Sequence, residues 1–268
     1  MHFSVLASGS GGNACYVESA HSKILIDAGL SYHEMIKRLE LIKVRPESID
    51  ALIITHEHLD HIKGAGPLAR RLDIPVYINS STLKNGIRVL GNLSRPVTLQ
   101  TGQTITINDL FIETFTKCHD AVDPIGLIVS SDDVRLGMVT DLGRSTRLVE
   151  DRLKGCQALI IEFNHDQIML EHGPYSWELK RRVKGPEGHL SNQQAGELLK
   201  AVVHEDLSLV VLAHLSEINN DSQKAFKAAK DTLTRCGLNH TRILISHQDH
   251  PTKMINMSNG LPQRIVTS

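Results

Sequence analysis

The segment Thr55-His56-Glu57-His58-Leu59-Asp60-His61 gathers three imidazoles and two carboxylates into consecutive positions of a chain that has 15 histidines in all. It follows an apolar stretch, Ala51–Thr55, and precedes an amphipathic helical pattern. A solvated loop does not need such a set, and a core does not tolerate it unpaired. Imidazole and carboxylate donors suit zinc, manganese or iron. In an extended turn, alternate residues share a side, so His56 and His58 project together. Asp60 and His61 fall at the expected helix start and can face a second ion.

Further polar residues end later apolar strands. His119 follows Phe111–Thr116, Asp141 follows Val134–Thr140, and His214 follows Leu209–Ala213. An earlier strand, Lys23–Asp27, ends in Asp27. The other strands expected from β-branched runs bounded by turn residues are Phe3–Ala7, Cys15–Glu18, Val76–Ile78, Thr104–Ile107, Gly126–Ser130, Ala158–Glu162 and Arg242–Ser246. Helical periodicity covers Tyr32–Leu39, His61–Leu72, Ser81–Leu90, Thr146–Leu153, Asn192–His204 and Asp221–Cys236. Ser191 followed by Gln194 reads as a capping box at the start of the fifth of these. The early strands follow one another through tight turns, which suggests antiparallel pairing, and the later ones alternate with helices. Two packed sheets with helices outside accommodate both patterns.

The motif His56-x-His58-x-Asp60-His61 resembles the HxHxDH signature of the metallo-β-lactamase superfamily. The resemblance implies an α/β (α+β) fold, a four-layer αβ/βα sandwich of two mixed sheets. It also implies a two-ion site, with His56, His58 and His119 on one ion, Asp60, His61 and His214 on the other, and Asp141 bridging. Asp27 matches a carboxylate that orients a ligand from behind. Within the superfamily, Gly188-His189-Leu190-Ser191-Asn192 paired with Ala213-His214-Leu215-Ser216 is similar to the phosphodiesterase branch that includes the tRNA 3′-end-processing nucleases, where the first histidine donates a proton or contacts phosphate. Taken with Leu6-Ala7-Ser8-Gly9-Ser10-x-Gly12-Asn13, His119-Asp120-Ala121-x-Asp123-Pro124, Glu162-x-Asn164-His165-Asp166 and His214-Leu215-Ser216-x-x-Asn219-Asn220, these motifs resemble the YycJ/WalJ-type metallohydrolases from about residue 3 to about residue 250. That group is related to ribonuclease J.

The expected activity is dinuclear-metal phosphodiester hydrolysis, which the resemblance implies runs 5′-to-3′ on DNA, with a metal-bridging hydroxide as nucleophile, zinc or manganese as the metal and iron as a further option. Asp60 orients the nucleophile and His189 serves the leaving oxygen. Glu162 and His165 orient His189 or line the site. The backbone around Ser8, Ser10 and Asn13 could cradle a phosphate, and Arg181 and Arg182, in a run with Lys180 and Lys184, could meet a phosphate backbone. Alternatives are a small-molecule (cyclic) phosphodiesterase using the same centre, a thioesterase or lactamase, and a non-hydrolytic di-iron redox or binding module. The last usually carries a flavin domain for which the chain has no room. About 70 residues separate Asp141 from His214, too few for an added domain of roughly 100 residues as well.

Bulk properties agree. The 268 residues carry a formal net charge of −1, so any nucleic-acid grip must be local rather than a global basic field. No apolar run approaches the roughly 18–20 residues of a membrane span, and no signal peptide is evident. Cys15, Cys118, Cys156 and Cys236 form no CxxC pair, which favours reduced thiols and a cytoplasmic protein. Cys118, although next to His119, reads as a small apolar filler. We expect one hydrolase domain over 1–258 and a loose tail over 259–268.

Overall fold

The computed structural model describes residues 1–132 and 134–257; the expected tail, 259–268, lies outside the described residues. The first part of the chain builds one sheet. β1 (His2–Ala7), β2 (Ala14–Glu18) and β3 (Lys23–Ile26) form an antiparallel meander. α1 (Tyr32–Leu41) and a single 3-10 turn (Pro46–Ser48) lead to β4 (Ala51–Ile53). α2 (Leu59–Ile62) and α3 (Ala65–Leu72) precede β5 (Val76–Asn79), and α4 (Ser80–Leu90) precedes β6 (Pro96–Leu99). β3 to β6 are parallel neighbours.

The second sheet repeats the scheme. β7 (Thr104–Ile107), β8 (Leu110–Thr116), β9 (Ile125–Ser131) and β10 (Val134–Val139) pair antiparallel. Parallel strands follow: α5 (Arg147–Leu153) then β11 (Ala158–Glu162); α6 (Gln167–His172), α7 (Trp177–Lys184) and α8 (Asn192–Val202) then β12 (Leu209–Ala213); α9 (Ser222–Arg235) then β13 (Arg242–Ile245). β14 (Ile255–Asn256) returns to pair with β1. The sheet orders are β14-β1-β2-β3-β4-β5-β6 and β13-β12-β11-β10-β9-β8-β7.

Strand alternation assembles four layers. In β3, Ile24 and Ile26 enter the core between the sheets while Leu25 packs outward with Met35 and Leu39 of α1. In β11, Ala158 and Ile160 face inward while Leu159 and Ile161 meet Leu198, Leu199 and Leu233 of α8 and α9. Both faces of each sheet are covered, which is why the central strands are continuous apolar runs. The carboxyl ends of the parallel strands then gather at one rim, where open α/β sheets place their sites.

Several expected boundaries change. The helix expected over His61–Leu72 starts earlier, at Leu59, and is two helices, broken at Gly64. There the chain runs against the loop after β3: Gly64 N–H donates to Ala28 O, and a Cβ at Gly64 would lie 2.0 Å from Leu30 O. The helical period continues through a break that only this tertiary approach enforces. β4 stops at Ile53 and β3 at Ile26, leaving Thr55 and Asp27 outside the strands. Sequence patterning missed β6, an exposed edge strand opening on a proline, and the two-residue β14. It also missed α6 and α7, whose surfaces bury almost nothing and so carry no apolar stripe. The capping box at Ser191 and Gln194 is present.

Candidate metal centre

Three strand ends at the rim share one backbone feature. Asp27, Asp141 and His214 all have left-handed φ, at 60°, 53° and 54°. Asp and His tolerate that region better than most residues, at a cost of order 1–3 kcal/mol each. Each turns its strand sharply so that the side chain aims across the rim, and each is held there. Asp27 N–H donates to Ile53 O at 2.8 Å. Asp141 N–H donates to the fully buried Glu162 carboxylate. His214 N–H donates to Ser8 Oγ at 2.7 Å.

Asp27 organises the signature segment. Its carboxylate accepts from Thr55 N–H at 2.8 Å and Thr55 Oγ1 at 2.7 Å, and lies 2.7 Å from His61 Nδ1. His61 Nε2 is thereby directed to Asp141 Oδ2 at 3.1 Å and Asp60 Oδ2 at 3.5 Å. The next turn must pass very close: a Cβ at Gly29 would fall 1.6 Å from Asp60 O. His214 Nε2 lies 3.3 Å from Asp141 Oδ1 and 3.6 Å from Asp60 Oδ2, with Asn164 Nδ2 3.2 Å from its other nitrogen. Asp60, His61, Asp141 and His214 thus form one donor cluster, with ligand atoms all within 4.8 Å of one another.

His56, His58 and His119 form a second cluster within the same limit. Their ring centroids are 4.9, 5.1 and 4.9 Å apart. Each ring has one nitrogen anchored to a neutral oxygen: His56 Nδ1 to Thr55 Oγ1 at 3.0 Å, His58 Nε2 to Asp120 O at 3.1 Å, and His119 Nδ1 to Gly188 O at 3.2 Å. The other nitrogens gather together, His56 Nε2 without a partner and His58 Nδ1 and His119 Nε2 3.2 Å apart. Asp141 groups with the first cluster and reaches His56 and His119 through its charge.

Burial holds His56 well below the usual histidine range and takes His119 down to about 4, the neutral form that ligates metal. Burial opposes charge on His61 and His214 too, but Asp141 with Asp27 pushes His61 up to about 10, and Asp141 with Asp60 pushes His214 up to about 9. Asp141 itself lies well below the carboxylate range, burial being outweighed by His214 and His61. Carboxylates that retain protons on buried imidazoles would equally retain a divalent cation in their place. His56 Nε2, Asp141 Oδ2 and His214 Nε2 are buried with no hydrogen-bond partner among the described residues. These atoms fall in the two donor clusters, His56 in one and Asp141 and His214 in the other, and fit divalent metal ions.

His189 stands over both clusters, its ring 5.3 Å from that of His119 and stacked 5.2 Å from that of His214. Its Nδ1 lies 3.3 Å from Glu162 Oε2. His189 also completes a donor group with Asp141, Glu162 and His214, but Glu162 is already committed to Asp141 N–H and, at 2.7 Å, to Leu190 N–H. Glu162 also lies 3.6 Å from His214 Nδ1, so it touches three site segments, at Asp141, His189–Leu190 and His214. His165 is buried, joins no donor cluster among the described residues, and bonds Asn192 N–H through its carbonyl at 2.8 Å.

The glycine loop is not a free amide cradle. Gly9 N–H goes to Asn13 Oδ1, Gly11 N–H to Gln248 Oε1, Gly12 N–H to Gly9 O and Asn13 N–H to Asp60 O. Ser10 is exposed. Asn13 instead places Nδ2 3.0 Å from Asp60 Oδ2, and Ser8 braces His214. Arg182 is also engaged within the protein, through Nε to Asp120 Oδ2 at 2.5 Å, while Arg181 lies over the Trp177 ring at 4.9 Å. Sequence reasoning missed Thr55, Asn164 and Lys117. Lys117 is buried and donates to Thr140 O, amid the charges of Asp141, Asp27, Glu162 and Asp60. A lysine two residues before a strand-end histidine was the one available signal.

The profile of the Beta-lactamase superfamily domain matches residues 22–215, and the chain belongs to the metallo-β-lactamase superfamily. By family and by donor set it is a metal-dependent hydrolase. Exodeoxyribonuclease YycJ of Bacillus anthracis is 34% identical over 253 residues, 94% of this chain and 96% of the relative. Exodeoxyribonuclease WalJ of Streptococcus pneumoniae is 37% identical over 244 residues, 88% of this chain and 89% of the relative. The crystal structure of the metallo-β-lactamase fold protein YhfI from Bacillus subtilis has a TM-score of 0.72 over 94% of this chain and 98% of that one, at 18% identity, and so shares the fold. Among the described residues no helix is long and apolar enough to cross a membrane.

Proposed function

We propose that the chain is a dinuclear-metal phosphodiesterase that degrades DNA from the 5′ end. The observation that carries this is the pair of adjoining donor clusters at one rim, with His189 over both; the nuclease names of relatives 34% and 37% identical along most of the chain choose the substrate. His56, His58 and His119 would hold one ion, Asp60, His61 and His214 the other, with Asp141 shared. Zinc and manganese suit these donors, and iron is compatible. When bound, such a pair lowers the pKa of water and neutralises phosphoryl charge.

The chain's own groups do the rest. Asp60, fixed by Asn13, orients the attacking water. The water's oxygen, its proton passed to the Asp60 carboxylate, forms a bond to phosphorus as the bond to the leaving oxygen breaks. His189, with Nδ1 turned to Glu162, presents Nε2 to that leaving oxygen and hands it a proton. Asp27 and Glu162 hold the histidines in register. Residues 1–258 act as one domain, and four cysteines with no disulfide among the described residues suit the cytoplasm.

The deciding experiment is metal-reconstituted protein on end-labelled DNA and RNA, with Asp141→Ala as control. We expect release of the label from 5′-labelled DNA at the first cut, progressive shortening of 3′-labelled DNA, and neither by the variant. Cleavage of cyclic nucleotides in preference to both polymers would replace the reading with a small-molecule phosphodiesterase.

A further inference from the structure

α7 is an unusual helix. It has no buried residue, yet it carries Trp177, the only tryptophan of the chain, 67% exposed. Large aromatic surface left in water is a signal when it has a chemical context. Here the context is cationic. Lys180, Arg181, Arg182 and Lys184 share the helix. Three have acceptors within the protein: Lys180 on Glu171 O, Lys184 on the Glu171 carboxylate and Arg182 on Asp120. Arg181 has no carboxylate partner among the described residues; its guanidinium lies over the Trp177 ring. Beside them is a cleft of about 590 Å³ lined by Glu171, Trp177, Lys180, Arg181, Lys184 and Gly185.

The helix is also tied to the metal centre. Arg182 pairs with Asp120, whose other carboxylate oxygen lies 3.4 Å from His119 Nε2, and Val183 O accepts from His189 N–H at 2.9 Å. Trp177 sits five residues before Arg182, about 7.5 Å along the helix axis.

We propose that Trp177 and Arg181 form a stacking platform for an unpaired nucleobase of the DNA strand whose phosphodiester lies at the metal centre. This rests on the nuclease reading above; the base it takes is one unpaired at the end of the strand, since a base inside a duplex is stacked on both faces. A flat aromatic ring accepts any base, while the guanidinium supplies charge toward the backbone. Arg181, a cation with no carboxylate partner among the described residues, is complementary in charge to that polyanion.

The platform is tested on metal-loaded full-length protein with a single-stranded, 5′-phosphorylated oligothymidylate. Since the chain has one tryptophan, its fluorescence reports Trp177 alone and should be quenched as the strand binds. Trp177→Ala should raise KM roughly 5- to 150-fold, the range found for loss of one base–aromatic stack, and Trp177→Phe should recover most of it. On a strand made abasic near its 5′ end, wild type and Trp177→Ala should converge. Cleavage with unchanged fluorescence and an unchanged KM in Trp177→Ala would overturn the platform and leave the nuclease reading standing. Failure to bind or cleave DNA at all would overturn both. Equal losses on normal and abasic strands would show a role in shaping α7 rather than stacking, and would overturn the platform too.

Discussion

The two halves of the centre present the same kind of donor on different supports. His56, His58 and His119 are hydrogen-bonded to neutral oxygens, a threonine hydroxyl and two backbone carbonyls, with the Asp120 carboxylate, itself paired with Arg182, 3.8 Å from His58 Nε2. His61 is backed by the Asp27 carboxylate, and Asp141 and His214 stand on left-handed backbone braced by Glu162 and Ser8. A carboxylate behind an imidazole raises its basicity and fixes its tautomer; a carbonyl mainly fixes its orientation. The carboxylate-backed half should therefore hold its ion more tightly, and graded chelation should empty the trio of histidines first.

The largest expected effect lies where the halves meet. His189→Ala should keep both metals and lose about 10²- to 10⁴-fold in turnover on DNA, the usual worth of general acid catalysis. A nitrophenyl phosphodiester, whose leaving group needs little protonation, should suffer much less. Equal losses on both would make His189 a phosphate-binding group, and loss of metal would make it a ligand.

Next come the supports. Asp27→Asn keeps shape but removes charge from behind His61, and should lower metal affinity about 10- to 100-fold. Asn164→Ala, which removes a neutral partner of His214, should cost less, under about tenfold on the same scale. If the two are equal in a metal titration, a carboxylate behind a ligand is worth no more than a neutral partner, and the contrast between the halves loses its basis.

A pH effect follows for metal-free protein. His61 and His214 are raised to about 10 and about 9 in the fold, above the ordinary value near 6.5. Their contribution to stability is complete below that value and is lost as pH rises through 9 and 10. Metal-free protein should melt progressively lower from about pH 7 to 10, and loaded protein, with both rings already deprotonated, should not. A flat metal-free profile would remove the carboxylate cage from the account.

The contrast also explains what sequence revealed. The seven candidate ligands were legible because each is a costly residue type at a strand end or in a dense motif. Asp27 was legible through the same strand-end position. Thr55, Asn164 and the bracing role of Ser8 were not, because a hydroxyl or amide acts through one hydrogen bond whose partner is as many as 206 residues away. The same limit hid the internal use of the glycine loop, whose amides are partly taken by Asp60 and Gln248. In the fold, buried strands showed their period clearly, whereas α6 and α7, packed against almost nothing, had none to show.

The central claim is two ions on seven residues, and elemental analysis of reconstituted protein tests it most directly. The account predicts about two equivalents per chain for the wild type and a clear loss in Asp141→Ala, whose carboxylate serves both ions. One equivalent or none under every divalent metal supplied, or two retained without Asp141, would contradict it.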